Sequence, residues 1–260
     1  MTDAAPASPA RPNPFVGPAI VVLWIGLAAL ILNRPSGVAV FAFVMVGWIV
    51  AVILHEFSHA AVAYLGGDHT VKDKGYLAFD PRRYGDVGVS LVMPLIFLLL
   101  GGIGFPGGAV YLRNDLMRGP AWRMAASLAG PAATLLILVA LGLGLAVWRG
   151  SGVTEGGGAA LFAALAMLAF LQAMALILNL LPIPGLDGFN AIRPFLPDSL
   201  APRLRKAEGL AMAGLFLLLM FVPAFGGALF RAATFLSGAV GVPRQAIGDG
   251  WALFHFWQRS

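Results

Sequence analysis

Apolar residues run along this chain in long unbroken stretches rather than at amphipathic spacing, over residues 15–32, 37–65, 121–148, 159–181 and 209–236. As a helix, each is about long enough to cross the ~30 Å apolar core of a bilayer. A sixth run, 88–104, is short, carries Pro94 near its middle and ends in glycines. Loops at 66–87, 105–120, 149–158 and 182–208 separate the runs, and a tail follows from 237. The pattern predicts an all-α polytopic membrane protein, with five to six transmembrane helices and a re-entrant Gly-rich segment. Residues 1–14 are small and Pro-rich and read as a disordered tail. Residues 15–236 read as a single transmembrane domain with its core at 37–195, and the aromatic stretch 237–260 as an interfacial tail.

The basic residues choose between topologies. If 88–104 enters and leaves on one face, Arg11, Lys72, Lys74, Arg82, Arg83, Arg113, Arg118, Arg123, Arg193, Arg203, Arg205 and Lys206 share a side. Only Arg34, Arg149, Arg231, Arg244 and Arg259 are left opposite, and twelve against five satisfies the positive-inside bias. If all six runs cross, lysine and arginine divide about evenly and the bias is lost. The favoured arrangement is therefore five crossings plus a re-entrant segment, with the N-terminus cytoplasmic. Backbone that bends inside a membrane must line protein or a water-filled cavity, so this topology predicts a cavity.

Composition sharpens the class. The 260 residues are 59% hydrophobic and 11% charged, more apolar than a soluble domain of this size needs. The net charge of +5 is scattered through short loops, which excludes a nucleic-acid surface and leaves the lipid bilayer as the partner. With no cysteine there is neither a disulfide nor a thiolate metal site, so any metal is held by histidine and carboxylate.

Charge inside an apolar run is expensive and marks a functional site. Residues 54–60 read LHEFSHA. His55 and His59, four apart, share one helix face and can converge on one ion, while Glu56 sits beside the first of them, angled to reach an activated water. A catalytic zinc needs a third protein ligand. His69, in the loop GGDHTVKDK, and His255, in the aromatic tail, read as solvated or interfacial histidines. Asp187 lies in NLLPIPGLDG, where Pro182 and Pro184 stop a helix and Gly185 and Gly188 permit a tight corner. Taken alone, Asp187 would serve as a helix cap; on the same membrane face as HEFSH, it reads as the third ligand.

HEFSH followed by NLLPIPGLDG resembles the site-2 protease family of intramembrane zinc metalloproteases, whose patterns are HExxH and NxxPxPxLDG. FDPRRYGDVGVSLVMPLIFLLLGGIGF (79–105) is similar to the family's stretch after the first motif, and LAGPAATL (128–135) resembles its GPxxN helix. The likeness covers roughly residues 45–195, as in compact prokaryotic members without PDZ or CBS domains. It implies one zinc ion per chain on His55, His59 and Asp187, Glu56 as base and acid, and Asn179 near the substrate. It also implies a multi-pass cell-membrane enzyme, its active site nearer the cytoplasmic face, that cuts transmembrane protein or peptide substrates. One departure stands out: the family's GPxxN asparagine is Thr134 here.

In GGIGFPGGAVYLRN (101–114), Gly102, Gly104, Gly107 and Gly108 allow close backbone approach and AVYL has strand propensity. The stretch is expected to offer an edge to which unwound substrate adds; the other reading is glycine for helix packing and a loop. Two further functions fit the same residues: a metal-ion transporter or channel, against which no paired internal repeat is seen, and an inactive substrate-binding homologue, against which Glu56 is intact.

Overall fold

The computed structural model describes residues 13–84, 110–152 and 155–258, and the regular structure in them is helical. In chain order the helices are α1 (Val16–Asn33), α2 (Gly37–Gly66), α3 (Thr70–Asp73), α4 (Pro120–Gly150), α5 (Gly156–Asn179), α6 (Asp187–Ile192), α7 (Ala201–Phe221), α8 (Pro223–Ala239) and α9 (Arg244–Phe254). Helices α1, α2, α4 and α5 are each long and apolar enough to cross a membrane, and they correspond to the first four predicted runs. The run 88–104 lies outside the described residues, as do Gly102, Gly104, Gly107 and Gly108.

The run 209–236 is long and apolar enough for a span as a broken pair. It is two helices, α7 and α8, bent by 90° at Val222. Pro223 removes a backbone N–H, and the residue before a proline is pushed out of the helical region; Val222 accordingly sits at φ −114°, ψ 90°.

Helix α5 is the hub. Its most apolar window is 89% buried, against 11% for the outer helix α1. Alanines along it, Ala163, Ala164, Ala166, Ala169 and Ala173 among them, let neighbours approach closely, which is how helices associate where lipid is as apolar as leucine. Helices α1, α2, α4, α8 and α9 all pack on it. The C-terminal stretch thus adds a helix to the bundle: α9 buries Ala246, Ile247, Gly250 and Phe254 against α5 and α2.

Helices α2 and α4 form the pair that carries the site. Ser36 caps α2, its hydroxyl accepting from the Ala39 amide at 3.2 Å, and Gly67 ends it at φ +118°. At 30 and 31 residues they are each about 45 Å long, more than a bilayer core requires. They run antiparallel, joined at one end where the Arg118 amide donates to the Gly66 carbonyl at 3.0 Å. The same end holds the loop after α2. There buried Asp68 accepts from the Thr70 hydroxyl at 2.6 Å and the Arg113 amide at 2.7 Å, while Lys74 Nζ donates to the Tyr111 carbonyl at 2.6 Å. Residues 110–113 are thereby fastened across the loop, close to the end of the α2 site.

Candidate metal centre

The four-residue spacing on α2 stacks the His55 and His59 rings one turn apart on the face toward α4. Their Nδ1 atoms are both held by α4. His59 Nδ1 lies 2.7 Å from the Ala126 carbonyl oxygen, and His55 Nδ1 lies 2.9 Å from Thr134 Oγ1. A carbonyl can only accept, so Nδ1 of His59 carries the hydrogen and Nε2 faces the site. The threonine hydroxyl accepts from His55 Nδ1 in the same sense when Nε2 serves as a ligand.

Asp187 arrives from the other half of the chain. Helix α5 ends at Asn179, and Pro182 and Pro184 forbid its continuation. The chain turns through an Ile183 carbonyl to Leu186 amide bond of 3.0 Å, and Asp187 opens the short helix α6. The corner closes on itself at Gly188, where a Cβ would overlap the carbonyls of Leu180 and Leu181. Its outcome is a carboxylate aimed at both rings: His55 Nε2 to Asp187 Oδ2 is 3.1 Å, and His59 Nε2 to Asp187 Oδ1 is 3.4 Å.

These three side chains fit a tetrahedral zinc. At Zn–N and Zn–O bonds of ~2.0–2.1 Å, ligand atoms sit about 3.3 Å from one another. Here the two Nε2 atoms are 3.0 Å apart, with the carboxylate contacts at 3.1 and 3.4 Å. Among the described residues, His55, His59 and Asp187 form the group able to hold a metal. The wall behind it is Gly130, midway between Ala126 and Thr134 on α4. A Cβ there would stand 2.5 Å from His55 Nε2 and closer still to His59 Nε2. Any other residue at 130 would occupy the ligand atoms' own space.

Glu56 is buried beside this group, 2% exposed, and its Oε2 accepts from the Val110 amide at 3.1 Å. Asn179, also buried, lines one cavity with His55 and Thr134. The other two histidines lie elsewhere. His69 meets the edge of Tyr64, and His255, expected to be solvated or interfacial, is 3% exposed among Trp251, Phe254 and Trp257. Sequence reasoning missed the parts that back these side chains: the Ala126 carbonyl at His59, Gly130 beside both rings and the Val110 amide at Glu56. A main-chain acceptor leaves no trace in residue identity; the GP of LAGPAATL was the available signal for Gly130.

No family model matches the chain, and no solved structure does. The chain is 38% identical over 263 residues to "Putative zinc metalloprotease Rip2" of Mycobacterium tuberculosis, covering 99% of this chain and 98% of that protein. It is 38% identical over 253 residues to the protein of the same name from Mycolicibacterium smegmatis, covering 95% of each. Over 184 residues it is 28% identical to "Putative zinc metalloprotease YwhC" of Bacillus subtilis, covering 70% of this chain and 81% of that protein.

Proposed function

The chain belongs to the site-2 protease family of zinc metalloproteases, and on that premise we propose that it is an endopeptidase that cuts transmembrane segments within the bilayer. The observation that carries this reading is the convergence of His55, His59 and Asp187, from motifs some 130 residues apart, in an apolar bundle. Zinc bound there supplies Lewis acidity toward water and toward the scissile carbonyl.

The chain's own residues do the rest. His55, His59 and Asp187 hold the ion, with Ala126 and Thr134 fixing the ring orientations. The Glu56 carboxylate takes the proton of the attacking water and passes it to the leaving amine, with the Val110 amide holding one of its oxygens. Asn179 lies on the same side as His55 and donates to the substrate or its developing oxyanion. The apolar bundle excludes bulk water, which strengthens each of these interactions. Substrate binding is assigned in the same proposal to Gly102, Gly104, Gly107 and Gly108, which lie outside the described residues. The loops carrying Lys72, Lys74, Arg82, Arg83, Arg113 and Arg118 face the cytoplasm, and the metal centre opens nearer that side.

The test uses purified protein in detergent with a model transmembrane substrate. Wild type cleaves it, and Glu56→Gln keeps its zinc while cleavage falls by about 10²–10⁴-fold. Cleavage by Glu56→Gln at the wild-type rate would remove Glu56 from the mechanism.

A further inference from the structure

Beside His55 and Thr134 lies a cavity of about 20 Å³, counted as space open to the centre of a water molecule. One ordered water needs ~10–15 Å³ of such space, so the cavity takes one water or a single polar atom. Its polar lining comes from Trp48, His55, Thr134, Gln172 and Asn179, and small apolar residues of α2 and α5 complete it. Gln172 and Asn179, seven apart, share one face of α5, and they are the only residues of that helix with polar side chains.

Two of these groups are unmatched. The indole Nε1 of Trp48 and the amide Nε2 of Gln172 have no hydrogen-bond partner among the described residues, and each side chain belongs to a residue only 2% exposed. Buried donors are almost always paired, so orphans on two residues that line a common cavity beside the candidate metal centre call for a guest. The chemistry selects it. Trp48 can only donate, which excludes a guest that itself only donates. Among the described residues no lysine, arginine, aspartate or glutamate lines the cavity, so none of them is placed there to neutralise an ion. A neutral oxygen acceptor satisfies both donors.

We propose that this pocket is a second binding site, adjoining the metal centre, for a neutral oxygen acceptor: a resident water, or a backbone carbonyl of the bound peptide. The water form keeps a solvent molecule next to the metal ligands inside a bundle that excludes bulk water. The carbonyl form rests on the endopeptidase reading. It gives the unwound substrate a grip formed by Gln172 and Trp48, with Asn179 alongside.

The decisive experiment is a pair of structures of zinc-loaded Glu56→Gln protein, alone and with a transmembrane peptide, at a resolution that shows ordered water. Density within hydrogen-bond reach of Trp48 Nε1 and the Gln172 amide in the peptide-free form identifies water. Its replacement by a peptide carbonyl in the complex identifies the second source. No density there in either form overturns the proposal. Gln172→Leu and Trp48→Phe, each checked for zinc content, give the functional measure, and the second stands if the first fails to fold. A resident water predicts turnover lowered about tenfold at unchanged KM. A carbonyl grip predicts peptide affinity in the Glu56→Gln background lowered about tenfold. Changes under about twofold in both quantities overturn the proposal as well. If wild type cleaves no transmembrane segment, the endopeptidase reading fails on its own, and the peptide-free structure still decides for or against the water.

Discussion

At the residue scale, the centre is defined as much by what backs the ligands as by the ligands. Gly130 and Thr134 belong to one stretch of α4, and a single zinc titration of purified variants separates their roles. Gly130→Ala puts a methyl group into the space of both Nε2 atoms and abolishes stoichiometric zinc binding. Thr134→Val removes only the acceptor for His55 Nδ1 and weakens zinc by about 10–100-fold, whereas Thr134→Ser keeps affinity within about threefold of wild type. Equal affinity of the valine and serine forms would show that the hydroxyl does not orient His55. Much of this scale was legible beforehand. Histidines and buried carboxylates are scarce in a chain with no cysteine, so HEFSH stands out by cost alone, whereas the LDG aspartate reads as a ligand only together with it. Gln172 carries the same signal, an amide in an apolar run that it shares with Asn179. Thr134 was noticed only as a departure from the family's asparagine. Its partner on another helix could not be read from spacing.

At the element scale, α1, α2, α4 and α5 follow from hydropathy, while the breaks after α5 and α7 follow from prolines. The PIP corner after α5 was readable because two prolines and two glycines fall together. The bend at Pro223 was not, since one proline in a long apolar run is compatible with a kink or a stop, and hydropathy does not choose. The turn at 80–84 makes a separate prediction. Asp80, fully buried, accepts from Arg82 Nε and Nη2, both at 2.8 Å, and from the Arg82 amide at 3.2 Å. It also takes a long bond of 3.4 Å from the Asn13 amide, tying the turn to the start of α1. These bonds, those of the Arg82 side chain foremost, hold the Asp80 carboxyl below its usual value. A depressed folded-state pKa contributes stability that is full above the unfolded value of ~3.9 and fades as pH falls toward the folded one. Asp80→Asn therefore lowers the melting temperature at pH 5–7, and the gap to wild type closes as pH drops below ~4. A gap that stays constant down to pH 3 would contradict the assignment.

At the scale of the whole molecule, one end of the bundle gathers the C-terminus of α2, the N-terminus of α4 and the corner after α5. The basic residues of the loops gather there too: Lys72, Lys74, Arg82, Arg83, Arg113 and Arg118. The opposite end keeps Arg34 and Arg149. Because the chain has no cysteine, an introduced one is its only thiol. In intact cells, a membrane-impermeant maleimide should label Arg149→Cys and spare Asp73→Cys, with both labelled after lysis. Labelling of Asp73→Cys in intact cells would invert the orientation. Hydropathy and charge made this frame legible, but not that α9 completes the core around α5. Its aromatic composition suits an interface as well as a bundle, and the close seat of Gly250 on the Ala163 carbonyl, with the burial of Ile247 and Phe254, tells the two apart.

The proposed hydrolysis requires two remote motifs to share one zinc, and X-ray absorption at the zinc edge of the purified protein tests that most directly. Wild type should show one zinc per chain with two imidazole nitrogens and oxygen ligands at ~2.0–2.2 Å, and Asp187→Ala should lose the ion or its ordered shell. A wild-type spectrum with fewer than two imidazoles, or one that Asp187→Ala leaves unchanged, would contradict it.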